Sequence, residues 1–92
     1  MKPGQTDSQI QEAMDILQEE CAEVTQAISK VFRFGIDGLH NGKTNRDRLE
    51  EELGDLLCMI DLLVEKEIVD YSALEDAKIR KLQKLQTWSN IK

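Results

Sequence analysis

The chain has 92 residues, 12 Lys+Arg against 18 Asp+Glu, a net charge of −6, 40% hydrophobic residues and only 4% aromatic. A chain of this length forms one domain, spanning 1–92, with a thin core; its acidity is the wrong sign for gripping a nucleic-acid polymer, and its longest apolar run, Leu56–Ile60, is too short to cross a membrane. Cys21 and Cys58 fit no metal-ligand spacing and no charged-then-apolar leader opens the sequence, so reduced thiols and a cytoplasmic location are expected, not a disulfide scaffold or a zinc finger.

Residues 1–7, with the only proline at Pro3, read as a flexible lead-in. Thr6 or Ser8 is placed to cap a helix, each with Gln or Glu three positions later. Apolar residues then recur at Ile10, Met14, Leu17, Cys21, Val24, Ile28 and Val31, a heptad seam that puts a helix over about residues 8–33 and makes Cys21 a core position. Phe32 and Phe34 close that helix, and packing against a later helix is their expected use.

Residues 34–44 hold Gly35, Gly38 and Gly42 and read as a glycine-rich loop, long for a helix–helix connection. His40 lies there without a companion ligand. Thr44 or Asn45 caps a second helix, with Asp47 in its first turn, running to about Glu67. Ser72 with Glu75 forms a capping box for a third helix, reaching about Trp88 through Leu74, Ala77, Ile79, Leu82 and Leu85. No stretch reads as a strand. The fold class is all-α: antiparallel helices forming a four-helix-type bundle completed by homo-oligomerisation, with the seam and the Met59 and Leu62 flank as the contact.

Helical projection reveals misplaced charge. Glu20 falls inside the arc of Ala13, Ile16, Leu17, Val24 and Ala27, all within about 60° of it at 100° per residue. Glu52 sits the same way among Leu49, Leu56, Met59 and Leu63, again within about 60°. Glu23 and Asp55 flank them at i+3. Each helix therefore presents a carboxylate pair from its apolar face, and ionised carboxylates are rarely buried without partners. Arg48, one turn before Glu52, is the clearest cation, but one arginine does not neutralise four carboxylates. The pattern points to a divalent metal between the helices. An all-oxygen donor set selects Mg²⁺, with Mn²⁺ as the alternative, over zinc.

Glu19-Glu20-Cys21-Ala22-Glu23 reads E-E-x-x-E and Glu52-Leu53-Gly54-Asp55 reads E-x-x-D, with twenty-eight residues between them. With ILQEECAEVTQAISKVFRFGID and TNRDRLEEELGDLLCMIDLL around them, these motifs resemble the all-α NTP pyrophosphohydrolases, specifically small phage-type members of the MazG-like group, related to dimeric dUTPases. The likeness covers about residues 10–66. It implies Mg²⁺-dependent hydrolysis of a ribo- or deoxynucleoside triphosphate to the monophosphate and pyrophosphate, clearing nucleotide pools. It further implies that Glu20, Glu23, Glu52 and Asp55 are metal ligands and that one carboxylate or a metal-bound hydroxide activates the attacking water; Glu20, the most inward-facing, is the preferred direct base. Arg48 stands where the family often carries a cation. Lys78 and Lys81 resemble basic residues that reach the triphosphate, although with Lys84 the row reads equally as a solvated face. Asn45 is placed to contact sugar or base unless it serves as a helix cap, and an aromatic of Phe32-Arg33-Phe34 is placed to stack on a base, with packing on the third helix its expected use. The implied partners are the nucleotide and further copies of the chain, as homodimer or homotetramer.

Two other readings fit the same residues. One is a non-enzymatic helical interaction module whose acids are merely solvated. The other is a relative that binds metal and nucleotide without turning it over.

Overall fold

The computed structural model describes residues 7–91. Helix α1 spans Asp7–Phe34, 28 residues or about 42 Å. Two-residue strands β1 (Leu39–His40) and β2 (Lys43–Thr44) follow, then helix α2 over Asn45–Glu65 and helix α3 over Tyr71–Trp88. The expected lead-in and Thr6 lie outside the described residues, except that Asp7 is already helical; Ser8, expected as a cap, is inside the first turn of α1.

The stretch expected to be a plain loop contains a β-hairpin. Leu39 pairs with Thr44 and His40 with Lys43, around Asn41 and Gly42 at φ 53° and 80°. Asn-Gly with both φ positive is the two-residue turn whose twist matches that of paired strands, so the dipeptide itself carried the signal.

The start of α2 is closed by local bonds. Thr44 is its N-cap: its Oγ1 accepts from the Asp47 N–H at 3.0 Å, and the Thr44 N–H donates to Asp47 Oδ2 at 3.0 Å. The next two orphan donors are taken by the connector, Asn45 N–H by the Gly38 carbonyl at 3.0 Å and Arg46 N–H by the Ile36 carbonyl at 2.8 Å. Asn45 is 4% exposed, and its Nδ2 donates to the Gly35 carbonyl at 2.8 Å and to the Lys30 carbonyl at 3.4 Å. One side chain thereby ties the start of α2 to the end of α1. Gly38 is obligatory beside it, because a Cβ there would strike the Phe34 carbonyl.

After Glu65 the chain turns through Glu67, a non-glycine residue in the left-handed region at φ 60°. The N–H groups of Ile68 and Val69 both donate to the Leu63 carbonyl. Asp70, not Ser72, caps α3: its carboxylate accepts from Ala73 N–H at 3.1 Å and from the Ser72 hydroxyl. An aspartate two residues earlier presents the stronger acceptor, and Ser72 is recruited as its donor.

Packing is confined to one layer. α1 lies along α2, while α3 touches either only sparsely, and the chain measures 46 × 37 × 14 Å. That thickness is little more than one helix with its side chains, about 10–12 Å. The radius of gyration, 16.3 Å, compares with about 12 Å for a globular chain of this length. Ala27 and Leu63 are the only buried apolar residues among those described. The seam is therefore not a core within one chain. Cys21 and Ile28 are exposed, because α1 meets α2 through the arc centred near Glu20 and Ala27, and Cys21 lies about 100° from Glu20. Phe32 and Phe34 are 85% and 62% exposed, so neither packs on α3.

Asn45→Ala removes the side-chain donor that joins the Gly35 and Lys30 carbonyls to α2, leaving Gly35 only its longer bond from the Gly38 N–H, and is expected to destabilise the protein by about 1–3 kcal/mol. Glu67→Gly removes a left-handed penalty and is expected to stabilise it by about 1 kcal/mol. Denaturant unfolding at one fixed protein concentration reads both, with opposite signs.

Candidate functional site

The sequence forces a conflict at the α1–α2 contact. The same stripes that bring Ala27 and Leu63 inside carry Glu20, Glu23, Glu52 and Asp55 to the interface. One carboxylate oxygen from each of the four lies within 4.8 Å of the others. Glu20 and Glu52 are half-buried, Glu23 and Asp55 exposed. Oε2 of Glu20 and Oε2 of Glu52 are buried and have no hydrogen-bond partner. Orphaned anionic oxygens are costly in a folded protein and call for a cation or a proton.

Electrostatics say the same. Loss of water pushes the Glu20 carboxyl above its ordinary value of 4.5, helped by the charges of Glu23, Asp55 and Glu19. The Glu52 carboxyl is pushed up first by a hydrogen bond shared with Glu23, then by loss of water and by the charges of Glu23, Asp55 and Glu20. The set is all oxygen, clustered and undercompensated, the donor chemistry of a hard divalent ion. These residues fit such an ion.

A cleft of about 170 Å³ adjoins the quartet, lined by Glu23, Ala27, Lys30, Arg48, Glu51 and Glu52. Arg48 is half-buried, and its Nη2 donates to the His40 carbonyl at 3.0 Å, anchoring the cation to the hairpin. Glu51 is drawn off by an ion pair with Lys43. Lys30 was not singled out from the sequence. It stands seven residues after Glu23, two turns along one stripe, and that spacing was the available signal.

The other expected substrate residues are placed differently. Asn45 is neither a helix cap nor an open contact, since its amide nitrogen is engaged by the Gly35 and Lys30 carbonyls. Lys78 and Lys81 line a groove of about 480 Å³ between α2 and α3, with Leu57, Ile60 and Val64, on a side of α2 about 80–140° from Glu52. Lys78 pairs with Glu75 at 3.1 Å, and the Lys81 ammonium sits 4.9 Å from the Trp88 ring centroid. One chain does not bring them to the carboxylates. Glu19, the first residue of the E-E-x-x-E string, is exposed.

A family model of the MazG nucleotide pyrophosphohydrolase domain matches residues 8–89. The chain belongs to the MazG family. Neither the curated proteins nor the solved structures compared with it give a match. The match takes in both carboxylate pairs, the hairpin and α3. It makes a hydrolase of phosphoric anhydrides the activity class, and divalent-metal dependence accords with the quartet.

The titration of the metal-free MazG chain has a defined shape. Glu20 and Glu52 hold their protons more tightly when folded, so stability falls as pH rises through the window just above 4.5. Asp47 is held below its ordinary 3.8 by the Thr44 N–H and hydroxyl, and Asp70 by the Ser72 hydroxyl and Ala73 N–H. Their contribution is present above 3.8 and lost as pH falls below it. In EDTA, melting temperature is therefore expected to peak between the two windows. Glu20→Gln with Glu52→Gln should flatten the upper limb, leave the acid limb in place and raise the melting temperature at pH 7.

Proposed function

We propose that this chain is a Mg²⁺-dependent nucleotide pyrophosphohydrolase that converts a nucleoside triphosphate to the monophosphate and pyrophosphate. The observation that carries the reading is the convergence of Glu20, Glu23, Glu52 and Asp55, with two buried oxygens lacking any partner. Glu20, Glu23, Glu52 and Asp55 hold the cation. When bound, it neutralises phosphate oxygens and stabilises the charge that develops during cleavage.

The chain supplies the rest. Water adds to the α-phosphorus, the bond from that phosphorus to the oxygen bridging it to the β-phosphorus breaks, and pyrophosphate leaves. Glu20 takes the proton from the attacking water; its inward position and unpartnered Oε2 suit it to that step. Arg48 faces the phosphates from the cleft beside Glu52.

The working form is a homodimer or homotetramer. Domains are built from at least two packed layers, and this chain supplies one. Its accessible surface, 7229 Å², compares with roughly 5,400 Å² for a compact monomer of its mass. Leu57, Tyr71, Ile79, Leu82 and Trp88 are each more than half exposed. An apolar groove of about 300 Å³ runs between Ile10, Ala13 and Ile16 on α1 and Met59 and Leu62 on α2. A second copy covers such faces, and the triphosphate meets Lys78 and Lys81 from a partner's α3. No described helix is long and apolar enough to cross a membrane, and the unpaired thiols of Cys21 and Cys58 fit a reducing cytoplasm.

Pyrophosphate release from ribo- and deoxynucleoside triphosphates, with Mg²⁺ and with EDTA, tests the reading. Metal-dependent release of pyrophosphate with monophosphate is expected from at least one of them. Glu52→Ala should lower turnover by on the order of 10²-fold or more. No release from any triphosphate, with no thermal shift on adding Mg²⁺, favours the interaction module instead. Sedimentation should give two or four chain masses.

A further inference from the structure

A second cleft, of about 490 Å³, opens on the hairpin side and is lined by Lys30, Phe34, Gly38, Leu39, His40 and Arg48. Lys30 and Arg48 belong to both clefts. The molecule therefore presents three zones in series: the carboxylate quartet, a mouth flanked by two cations, and a cavity with an aromatic and an aliphatic wall. A nucleotide has the same order, from metal-binding phosphates through further anionic oxygens to a flat aromatic base.

We infer that the hairpin cavity receives the nucleobase, with Phe34 as its stacking surface, His40 as its hydrogen-bonding edge, and Lys30 joining Arg48 as a second phosphate ligand. The inference rests on the hydrolase reading above and specifies its substrate-recognition half.

The walls are suited to this. Phe34 ends α1 with its ring 62% exposed, which a core residue is not, and the Arg33 guanidinium lies 5.0 Å from its centroid, restraining it. Leu39 is 74% exposed among the described residues. The imidazole of His40 offers one donor and one acceptor when neutral, matching the edge of a base rather than a phosphate. Lys30 has no ion-pair partner among the described residues, whereas Lys43, Arg46 and Lys78 each have one. The floor is rigid. Gly38 tolerates no Cβ, the Asn45 amide nitrogen is engaged beneath it, and Arg48 is fixed to the His40 carbonyl, so a contact at the base end is coupled to the cation at the phosphate end. The size also suits a small-molecule site, which commonly spans about 300–1,000 Å³.

Steady-state kinetics of the full chain with Mg²⁺ on the panel of triphosphates tests this, with inorganic triphosphate as a competing probe that has phosphates and no base. Phe34→Ala should raise KM for the preferred nucleotide roughly 5- to 150-fold, the range that loss of one aromatic–base stack spans. Phe34→Tyr should restore it. His40→Ala should compress the ranking among bases. Neither Phe34→Ala nor His40→Ala should move the inhibition constant of inorganic triphosphate, whereas Lys30→Gln should weaken inorganic triphosphate and nucleotide together. Phe32→Ala, outside the cavity, should leave KM unchanged. Phe34 and His40 are exposed and lie on or beside the hairpin, and circular dichroism with thermal melting verifies that each variant folds. Turnover that persists while Phe34→Ala and His40→Ala leave KM and base ranking within twofold of the unsubstituted chain overturns the base site alone. So does Phe34→Ala weakening inorganic triphosphate as much as the nucleotide. Absence of any turnover by the unsubstituted chain overturns the hydrolase reading and the base site with it.

Discussion

Four carboxylates held within 4.8 Å of one another across two antiparallel helices repel, and everything else in this chain is arranged around keeping them there. Apolar contact between α1 and α2 is slight, with Ala27 and Leu63 the only buried apolar residues among those described. The alignment must therefore be fixed elsewhere. It is fixed at the connected end of the helix pair, where Asn45 bonds the carbonyls of Lys30 and Gly35 and the connector closes the first turn of α2. Directional hydrogen bonds set the register that a thin core cannot, because a slip of one residue would break them outright.

Helix α3 answers a different constraint. With no buried residue of its own, it contributes little to the energy of a lone chain and much to a surface that water wets poorly. Most helical stability in proteins comes from packing of an apolar face, so its order depends on the Asp70 cap and on whatever lies against its apolar side. Lys78 and Lys81 are carried on the same element, so under the proposed function assembly and phosphate neutralisation would be linked.

Much of this was legible in the sequence, for definite reasons. Helix positions followed from periodicity, and the two i, i+3 carboxylate pairs stood out because a charge inside an apolar arc contradicts its surroundings. Thr44 with Asp47 was readable as a cap and first-turn acid because that chemistry is local. What failed was what depended on tertiary context. Cys21 read as core because a seam says which residues could be covered, and not by which chain. Phe32 and Phe34 were assigned to α3, whose direction is set by the turn at Glu67 and is not encoded in the aromatics. Asn45 read as a cap or an open contact because its partners lie ten and fifteen positions earlier. The hairpin at Asn41-Gly42 was local and legible, but it was hidden by reading glycine density as disorder of the path. Lys30 was passed over because it is unremarkable until Arg48 stands opposite it.

The anchoring at Asn45 has a consequence for comparing such chains. Because the bonds to Gly35 and Lys30 and the capping of α2 fix the helices independently of the hairpin tip, residues added or removed between Leu39 and Thr44 lengthen a loop whose closure cost grows only logarithmically. They do not slide one helix along the other. The spacing within each carboxylate pair is set by helical pitch and cannot change by even one residue. The distance between the pairs, by contrast, is elastic. Alignments that penalise gaps evenly will misjudge such proteins, since an insertion at the hairpin tip leaves the carboxylate quartet in register and one within either pair destroys it.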